Sequence, residues 1–510
     1  MTFKFYCVIL FVTASIHLSA QSYQPAVFTD QNRLQKIAVA FPVIDQLYKE
    51  YAEKNHIPGM VYGIVMDGKL VHTGNTGYAD IAHQVPANPE SDFRIASMTK
   101  SFTAMAVLKL RDEGKLKLDD PVGMYIPEMK NMKYPTKDAS EVTVRHLLTH
   151  AAGYPEDNPW GDRQLADTDE ELLAIYQKGV SFSNDPGLGY EYSNLGFATL
   201  GYLIKKVSGI PYQDYITENI LKPLGMTHTY WEYTKVPKEQ LAHGYRWINN
   251  GWEEQPLLHD GSYGAMGGLI TTIEDFSKYM ALHLSAWPPR DDQELGPVKR
   301  SSVREMQYPW NIYALNANTK TAEGVLCPTV NAYAYGIRWT KDCNDRITIG
   351  HTGGLPGFGS QWAVMPEYGI GIVAFANATY ARAGIINTQA LETLLSVSAL
   401  APRQLPASAI LNQRKDELMK ILPEWNNAGK SGLFAQNFFM DYFSAQLKAE
   451  ALKAFSQAGK IRVIHKIVAE NQLRGYFIVE GTNANIRISF TLTPENPALI
   501  QEYHLELLSK

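Results

Sequence analysis

The strand-forming segments of this chain fall in two places far apart in sequence, with a long helix-forming stretch between them. Met60-Val-Tyr-Gly-Ile-Val-Met66 and Lys69-Leu-Val-His72 flank Asp67-Gly68, a dipeptide suited to a tight hairpin. Strand patterns return at Ala334-Tyr-Gly-Ile-Arg-Trp339, Arg346-Ile-Thr-Ile-Gly350, Gln361-Trp-Ala-Val-Met365 and Ile370-Gly-Ile-Val-Ala-Phe375. Residues 98–283 are mainly helical in pattern, and helical spacing also covers 31–54 and 384–398. Such an order predicts an α+β fold, with one antiparallel sheet built from both ends and a helical insertion between them.

Ala401-Pro-Arg-Gln-Leu-Pro-Ala-Ser408 has the composition of a linker. Beyond it, 412–458 reads as helical. Three or four strands follow (461–464, 476–479, 486–492 and 503–507). The expected organisation is therefore a leader over 1–20, a large domain over 21–400, a linker over 401–411 and a small α+β domain over 412–510.

The leader expectation rests on Lys4, the apolar run Phe5–Ala14, and the small residues Ser19 and Ala20 ahead of Gln21. This is the layout of a secretory signal peptide cleaved after Ala20, and the apolar run is shorter than a membrane span needs. An exported protein, periplasmic or extracellular, with no transmembrane segment after the leader is expected. Cleavage would remove Cys7 and leave Cys327 and Cys343. In an oxidising compartment these two can form a disulfide or stay as free thiols. The chain has 47 Lys+Arg against 52 Asp+Glu, a net charge of −5. That balance argues against nucleic acid as the partner.

The segment richest in chemistry is Phe93-Arg-Ile-Ala-Ser97-Met-Thr-Lys100, which opens an apolar run of helical period. Residues i and i+3 share a helix face, so the Lys100 amine can reach the Ser97 hydroxyl. A serine needs a neighbouring base before it attacks, and a buried lysine of lowered pKa is one such base. A second element, Tyr192-Ser193-Asn194, ends a turn-rich loop and enters a helix. A phenol there can relay protons if its pKa falls beside a lysine, and an amide can hold a carbonyl. The third, His351-Thr352-Gly353-Gly354, ends a strand, where glycines let a substrate backbone approach the sheet edge. There is no Gly-x-Ser-x-Gly elbow, no His-Glu-x-x-His and no Cys/His cluster, so neither an α/β-hydrolase nor a metal site is expected.

Taken in order, Ser-x-x-Lys, Tyr-x-Asn and His-Thr-Gly resemble the serine β-lactamase and penicillin-binding-protein superfamily. Tyr-x-Asn in place of Ser-x-Asn is similar to its class C branch, which includes D-aminopeptidases, D-Ala-D-Ala carboxypeptidases and esterases. Val142–Gly153, Leu221–Thr229 and Gly264–Asp275 add to the likeness, which spans about residues 35–398. The resemblance implies a β-lactamase/transpeptidase-like domain, with Ser97 as the acylated nucleophile and Lys100 as its proton acceptor. Tyr192 would be general base or relay, and Asn194 would position Lys100 and the substrate amide. His351, Thr352 and Gly353 would line the substrate strand, and the backbone N–H groups of Ser97 and Gly354 would form the oxyanion hole.

One departure carries weight. His351 stands where typical β-lactamases carry lysine, and a neutral imidazole supplies no fixed positive charge. The expected function is therefore an exported serine hydrolase, free of cofactor and metal. It would act on peptide-like amides or small esters, such as D-amino-acid peptides or peptidoglycan stem peptides. A weak β-lactamase and a catalytically idle recognition protein are the alternatives. The C-terminal domain is similar in element order to cystatin- or NTF2-like accessory domains.

Overall fold

The computed structural model describes residues 23–321 and 324–509. The leader expected over 1–20, with Cys7, lies outside the described residues. The chain forms two compact units. One comprises Asp30–Pro402, and the other joins Arg403 onward to the segment before Asp30.

The larger unit is organised around a nine-stranded antiparallel sheet. Its strands are β1 (Gly59–Met66), β2 (Lys69–Asp80), β3 (Val85–Pro86), β4 (Asn311–Asn316), β5 (Thr329–Tyr333), β6 (Arg338–Lys341), β7 (Ile347–Leu355), β8 (Phe358–Met365) and β9 (Ile370–Ala376). Their spatial order is β3-β2-β1-β9-β8-β7-β6-β5-β4, so the N-terminal hairpin joins the late strands through β1 and β9. Asp67 and Gly68 both have positive φ (49° and 77°), the conformation that turns the β1–β2 hairpin. Two short sheets, over Phe93–Arg94, Thr229–Tyr230 and Ile270–Thr271 and over Tyr245–Ile248 and Gly251–Glu254, lie within the helical insertion.

Strands β1, β8 and β9, at the middle of the sheet, are buried on both faces. On one face, Ile44 and Tyr48 of α2 (Phe41–Lys54) and Ala390 and Leu394 of the late helix Ala383–Ser398 pack on Ile64, Ile372 and Ala363. On the other, Val61, Val364 and Val373 meet the helical insertion, including α3 (Lys100–Asp112), α4 (Asn194–Ser208) and α5 (Ile273–Ser285). The late helix Ala383–Ser398 is α6. Helix α3 is buried over most of its length, its polar Lys100, Ser101 and Thr103 included.

Three expected elements differ in detail. The helix expected over 31–54 is two helices, α1 (Arg33–Ala38) and α2, because Pro42 sits in the first turn of α2 and cannot continue a helix from upstream. Of the strand expected over 334–339, Arg338 and Trp339 open β6, while 334–337 form the turn between β5 and β6. Gly336 there has φ of 65°, and a Cβ on it would lie 2.6 Å from the Lys100 carbonyl oxygen. The helix expected over 412–458 is broken after Ile421, ahead of Pro423, and resumes over Ser444–Ala458.

In the smaller unit, the helix Ala409–Ile421 is capped by Ser408 and packs with Ser444–Ala458 on an antiparallel sheet of five strands between Ile461 and Leu508. Residues 23–29 belong here rather than with the larger unit. Val27 and Gln404 exchange backbone hydrogen bonds of 2.9 and 2.8 Å.

Candidate active site

Ser97 lies in a single tight turn, Ala96–Thr99, that runs directly into α3. Ala96 has φ of 49°, a left-handed conformation that costs a non-glycine residue free energy and fixes the approach to the nucleophile. The turn is held against the sheet, since Ser360 Oγ donates to the Ile95 carbonyl at 2.8 Å. Strand β7 passes so close that a Cβ on Gly353 would lie 2.2 Å from the same carbonyl oxygen. Gly353 therefore serves the approach of the nucleophile turn. The expectation that it receives substrate backbone is not what its surroundings require.

Lys100, one turn on, is fully buried. Its Nζ donates to Ser97 Oγ at 3.1 Å, to Asn194 Oδ1 at 2.7 Å and to the Met266 carbonyl at 2.9 Å. Burial pushes its pKa down to about 7, against the opposing pull of Asp162 and Asp157. Two of the three partners are oxygens that can only accept. Once the amine is neutral, its two remaining protons stay on them and its lone pair faces Ser97 Oγ.

Tyr192 is also buried. Its ring centroid lies 4.9 Å from Lys100 Nζ. Burial raises its pKa, although the neighbouring Ser97 hydroxyl and the Arg338 guanidinium pull the other way. The lowered phenol expected beside a lysine is therefore not found; the lowered group is Lys100.

Asn194 starts α4, and its environment is specified from a loop over 157–162. Asp157 accepts from the backbone N–H groups of Asn194 (2.7 Å) and Leu195 (2.8 Å), capping the helix. Asn158 Oδ1 accepts from Asn194 Nδ2 at 2.7 Å, which turns Oδ1 toward Lys100. Asp162 accepts from Asn194 Nδ2 at 3.5 Å and from the Tyr380 hydroxyl at 3.1 Å. Burial raises the pKa of both Asp157 and Asp162.

The Tyr192 loop is held from the other side by His150, which accepts from Ser193 N–H at 3.1 Å through Nδ1 and from Glu191 N–H at 2.9 Å through its carbonyl.

His351 points inward rather than toward an open cleft and is 2% exposed. Its Nδ1 faces the Thr352 carbonyl at 2.5 Å and its Nε2 the Tyr333 hydroxyl at 2.9 Å, so Nδ1 carries the proton and Nε2 accepts. Burial, with Arg338 and Lys100 adding to it, holds the imidazole well below its ordinary pKa, and the ring is neutral. Thr352 is exposed. Strand β6 accompanies β7 only as far as Gly350, so 351–355 have a strand neighbour on one side alone, β8. That open edge carries Thr352 and Gly354 past Ser97.

Arg338, at the start of β6, places a positive charge near the site. Its guanidinium carbon lies 5.7 Å from the Tyr192 ring centroid, and Nη1 donates to the Tyr313 hydroxyl at 3.0 Å. Sequence reasoning missed Arg338, as it missed Asp157, Asn158 and Asp162. His150 lies in a segment noted for family likeness, which was the one signal available. Cys327 and Cys343 are joined as a disulfide. Among the described residues no group of three or more His, Cys, Asp or Glu is placed to hold a metal ion.

Comparison with known proteins places this geometry. The family model described as Beta-lactamase matches residues 44–395. "Protein flp" of Staphylococcus aureus (strain N315) is 30% identical over 388 residues, covering 73% of this chain and 70% of its own. "Beta-lactamase-like protein 2" of Dictyostelium discoideum is 33% identical over 282 residues, 53% of this chain and 50% of its own. Among solved structures, the octameric penicillin-binding protein homologue from Pyrococcus abyssi superposes with a TM-score of 0.59 at 23% identity, covering 92% of this chain and 98% of that one. That last likeness is one of fold. The matched family model spans most of the chain and contains Ser97, Lys100, Tyr192 and His351, so the chain belongs to the β-lactamase family, within the serine β-lactamase and penicillin-binding-protein superfamily, and is of the serine hydrolase type.

Proposed function

We propose that the protein is an exported serine hydrolase that forms an acyl-enzyme with peptide-like amides or esters bearing a carboxylate on the departing side. The observation that carries this reading is Lys100, buried, bonded to Ser97 Oγ at 3.1 Å and pushed down to about 7. A neutral amine at that position is the base a serine nucleophile needs.

In the first half-reaction Ser97 Oγ attacks the substrate carbonyl carbon and its proton passes to Lys100. The carbonyl oxygen becomes an oxyanion held by the backbone N–H groups of Ser97 and Gly354. Collapse breaks the bond to the leaving group, which takes its proton from Lys100 through the Tyr192 hydroxyl. In the second half-reaction water attacks the acyl carbon and its proton passes to Lys100 by the same hydroxyl. Collapse breaks the bond to Ser97 Oγ, which takes that proton back from Lys100 as the acid departs. The high pKa of Tyr192 suits a relay that never holds a net charge.

Arg338 supports a carboxylate on the departing side. It stands beside Tyr192, from which the leaving group collects its proton, and it remains charged while His351 is neutral. Export is supported by the leader-like residues 1–20 and by the Cys327–Cys343 disulfide, which suits an oxidising compartment. Peptidoglycan stem peptides and other D-amino-acid peptides or esters are the substrates that compartment offers.

A panel of p-nitrophenyl esters, D-Ala-D-Ala peptides and a chromogenic cephalosporin tests the reading. Turnover of esters or peptides well above the cephalosporin is expected. Fast cephalosporin turnover would instead indicate a β-lactamase. Failure of every substrate and every acylating probe would indicate an idle recognition protein.

A further inference from the structure

Side chains along β7 alternate between the two faces of the sheet. His351 and Ile349 face the helical insertion, while Thr348, Gly350 and Thr352 face the side that carries α6. Helix α6 packs over β8 and β9 on that side and meets β7 at Thr352, where a Cβ on Gly384 would lie 3.4 Å from the Thr352 methyl. The space left beside it is walled by the segment between β4 and β5, and the result is a cavity of about 340 Å³. Of its lining, the reaction described above uses Arg338 alone.

The cavity wall is built for a polar, anionic occupant. Seven of its lining residues are threonines, with Thr340 and Thr348 on the sheet and Thr388 on α6. Lys320, Arg338 and Arg346 face it against two acids, Asp342 and Glu392. Asp342 is already committed to Arg346, at 2.6 Å. Arg338 Nε is buried with no hydrogen-bond partner among the described residues. Hydroxyl donors and cations together recognise carboxylates, and an unpaired buried guanidinium N–H gains from meeting one.

Two residues join the cavity to the catalytic centre. Arg338 lines it and also lies beside the Tyr192 ring, and Thr352 lines it from the open edge of β7. A leaving group must collect its proton on the Tyr192 side, so a chain running past Arg338 and Thr352 belongs to the departing half. The Cys327–Cys343 disulfide ties the end of the segment that carries Lys320 to the β6–β7 turn, and Cys327 itself lines the cavity.

We propose that this cavity is a leaving-group subsite, and that the preferred substrate carries on its departing half a second negative charge beyond the carboxylate next to Arg338. This inference rests on the acyl-transfer reading above and adds a substrate class to it. Lys320 is the residue that distinguishes a doubly charged departing group from a singly charged one.

The test uses three esters with one acyl half and different departing hydroxy acids: D-lactate, D-2-hydroxyglutarate and the γ-amide of D-2-hydroxyglutarate. In the wild-type protein kcat/KM for the hydroxyglutarate ester should exceed that of its γ-amide by about tenfold. Lys320→Glu should abolish or invert that ratio. Equal rates for the dianion and its amide, or a ratio untouched by Lys320→Glu, would overturn the subsite. So would failure of all three esters alongside turnover of a p-nitrophenyl ester of the same acid. If the p-nitrophenyl ester is also inert and Ser97 takes up no acyl group, the acyl-transfer reading falls, and the subsite with it.

Discussion

Lys100 Nζ and Asn194 Oδ1 lie 2.7 Å apart in a region where neither side chain is exposed. The amide cannot turn over, because Asn194 Nδ2 is committed to Asn158 Oδ1 at 2.7 Å. Lys100 therefore keeps a fixed acceptor whether or not it is charged, and its lone pair is left for Ser97.

The first prediction concerns pH. Lys100, pushed down to about 7 by burial, must be neutral to accept the Ser97 proton. Acylation measured as kcat/KM should thus be low in acid and rise with pH through a midpoint near that value. Burial raises Tyr192, so a phenolate base would place the rise well above neutrality instead. A stopped-flow pH profile on an ester whose own ionisation is constant separates the two.

Asp162 opposes the burial of Lys100, being foremost among the nearby charges that favour its ammonium form. Asp162→Asn removes that charge and keeps an oxygen for the Tyr380 hydroxyl to donate to. With less to favour the ammonium form, the acid limb should move to lower pH. A limb that stays in place or moves upward would contradict the electrostatic account of Lys100.

Gly353→Ala would drive a Cβ to 2.2 Å from the Ile95 carbonyl oxygen, backbone against backbone. Relief requires the Ser97 turn or β7 to shift, and overpacking of this kind costs about 1–3 kcal/mol. A fall in thermal midpoint together with slower acylation is expected. Unchanged values of both would show that the turn and the strand are not in contact.

Arg338→Ala should lower kcat/KM for substrates with a carboxylate on the departing side by about 10- to 100-fold, mainly through KM. The loss should be much smaller for esters that depart without a carboxylate. Equal losses for both kinds would mean that Arg338 acts on Tyr192 and not on substrate.

What the sequence revealed and what it hid follow a physical division. The β1–β2 hairpin was legible because Asp67-Gly68 encodes its turn locally. Ser97 and Lys100 were legible because one helical turn fixes their relation, whatever surrounds them. The turn at Ala334–Ile337 was not, since Gly336 answers to the Lys100 carbonyl, more than two hundred residues away in sequence. Asp157, Asn158 and Asp162 were hidden for the same reason. Their loop has no regular pattern, and their meaning lies in Asn194 and Lys100. Arg338 reads in isolation as one charge in an apolar strand, and only the folded sheet sets it beside Tyr192. Even His351, found by motif, was expected on the substrate side, and the structure turns its ring inward to Tyr333.

The central claim is that Ser97 is the nucleophile. Intact-protein mass spectrometry after exposure to a serine-directed fluorophosphonate tests it most directly. One adduct per chain is predicted on the wild-type protein, forming faster as pH rises through about 7, and none on Ser97→Ala. An adduct that persists in Ser97→Ala, or no adduct on the wild-type protein, would contradict the account.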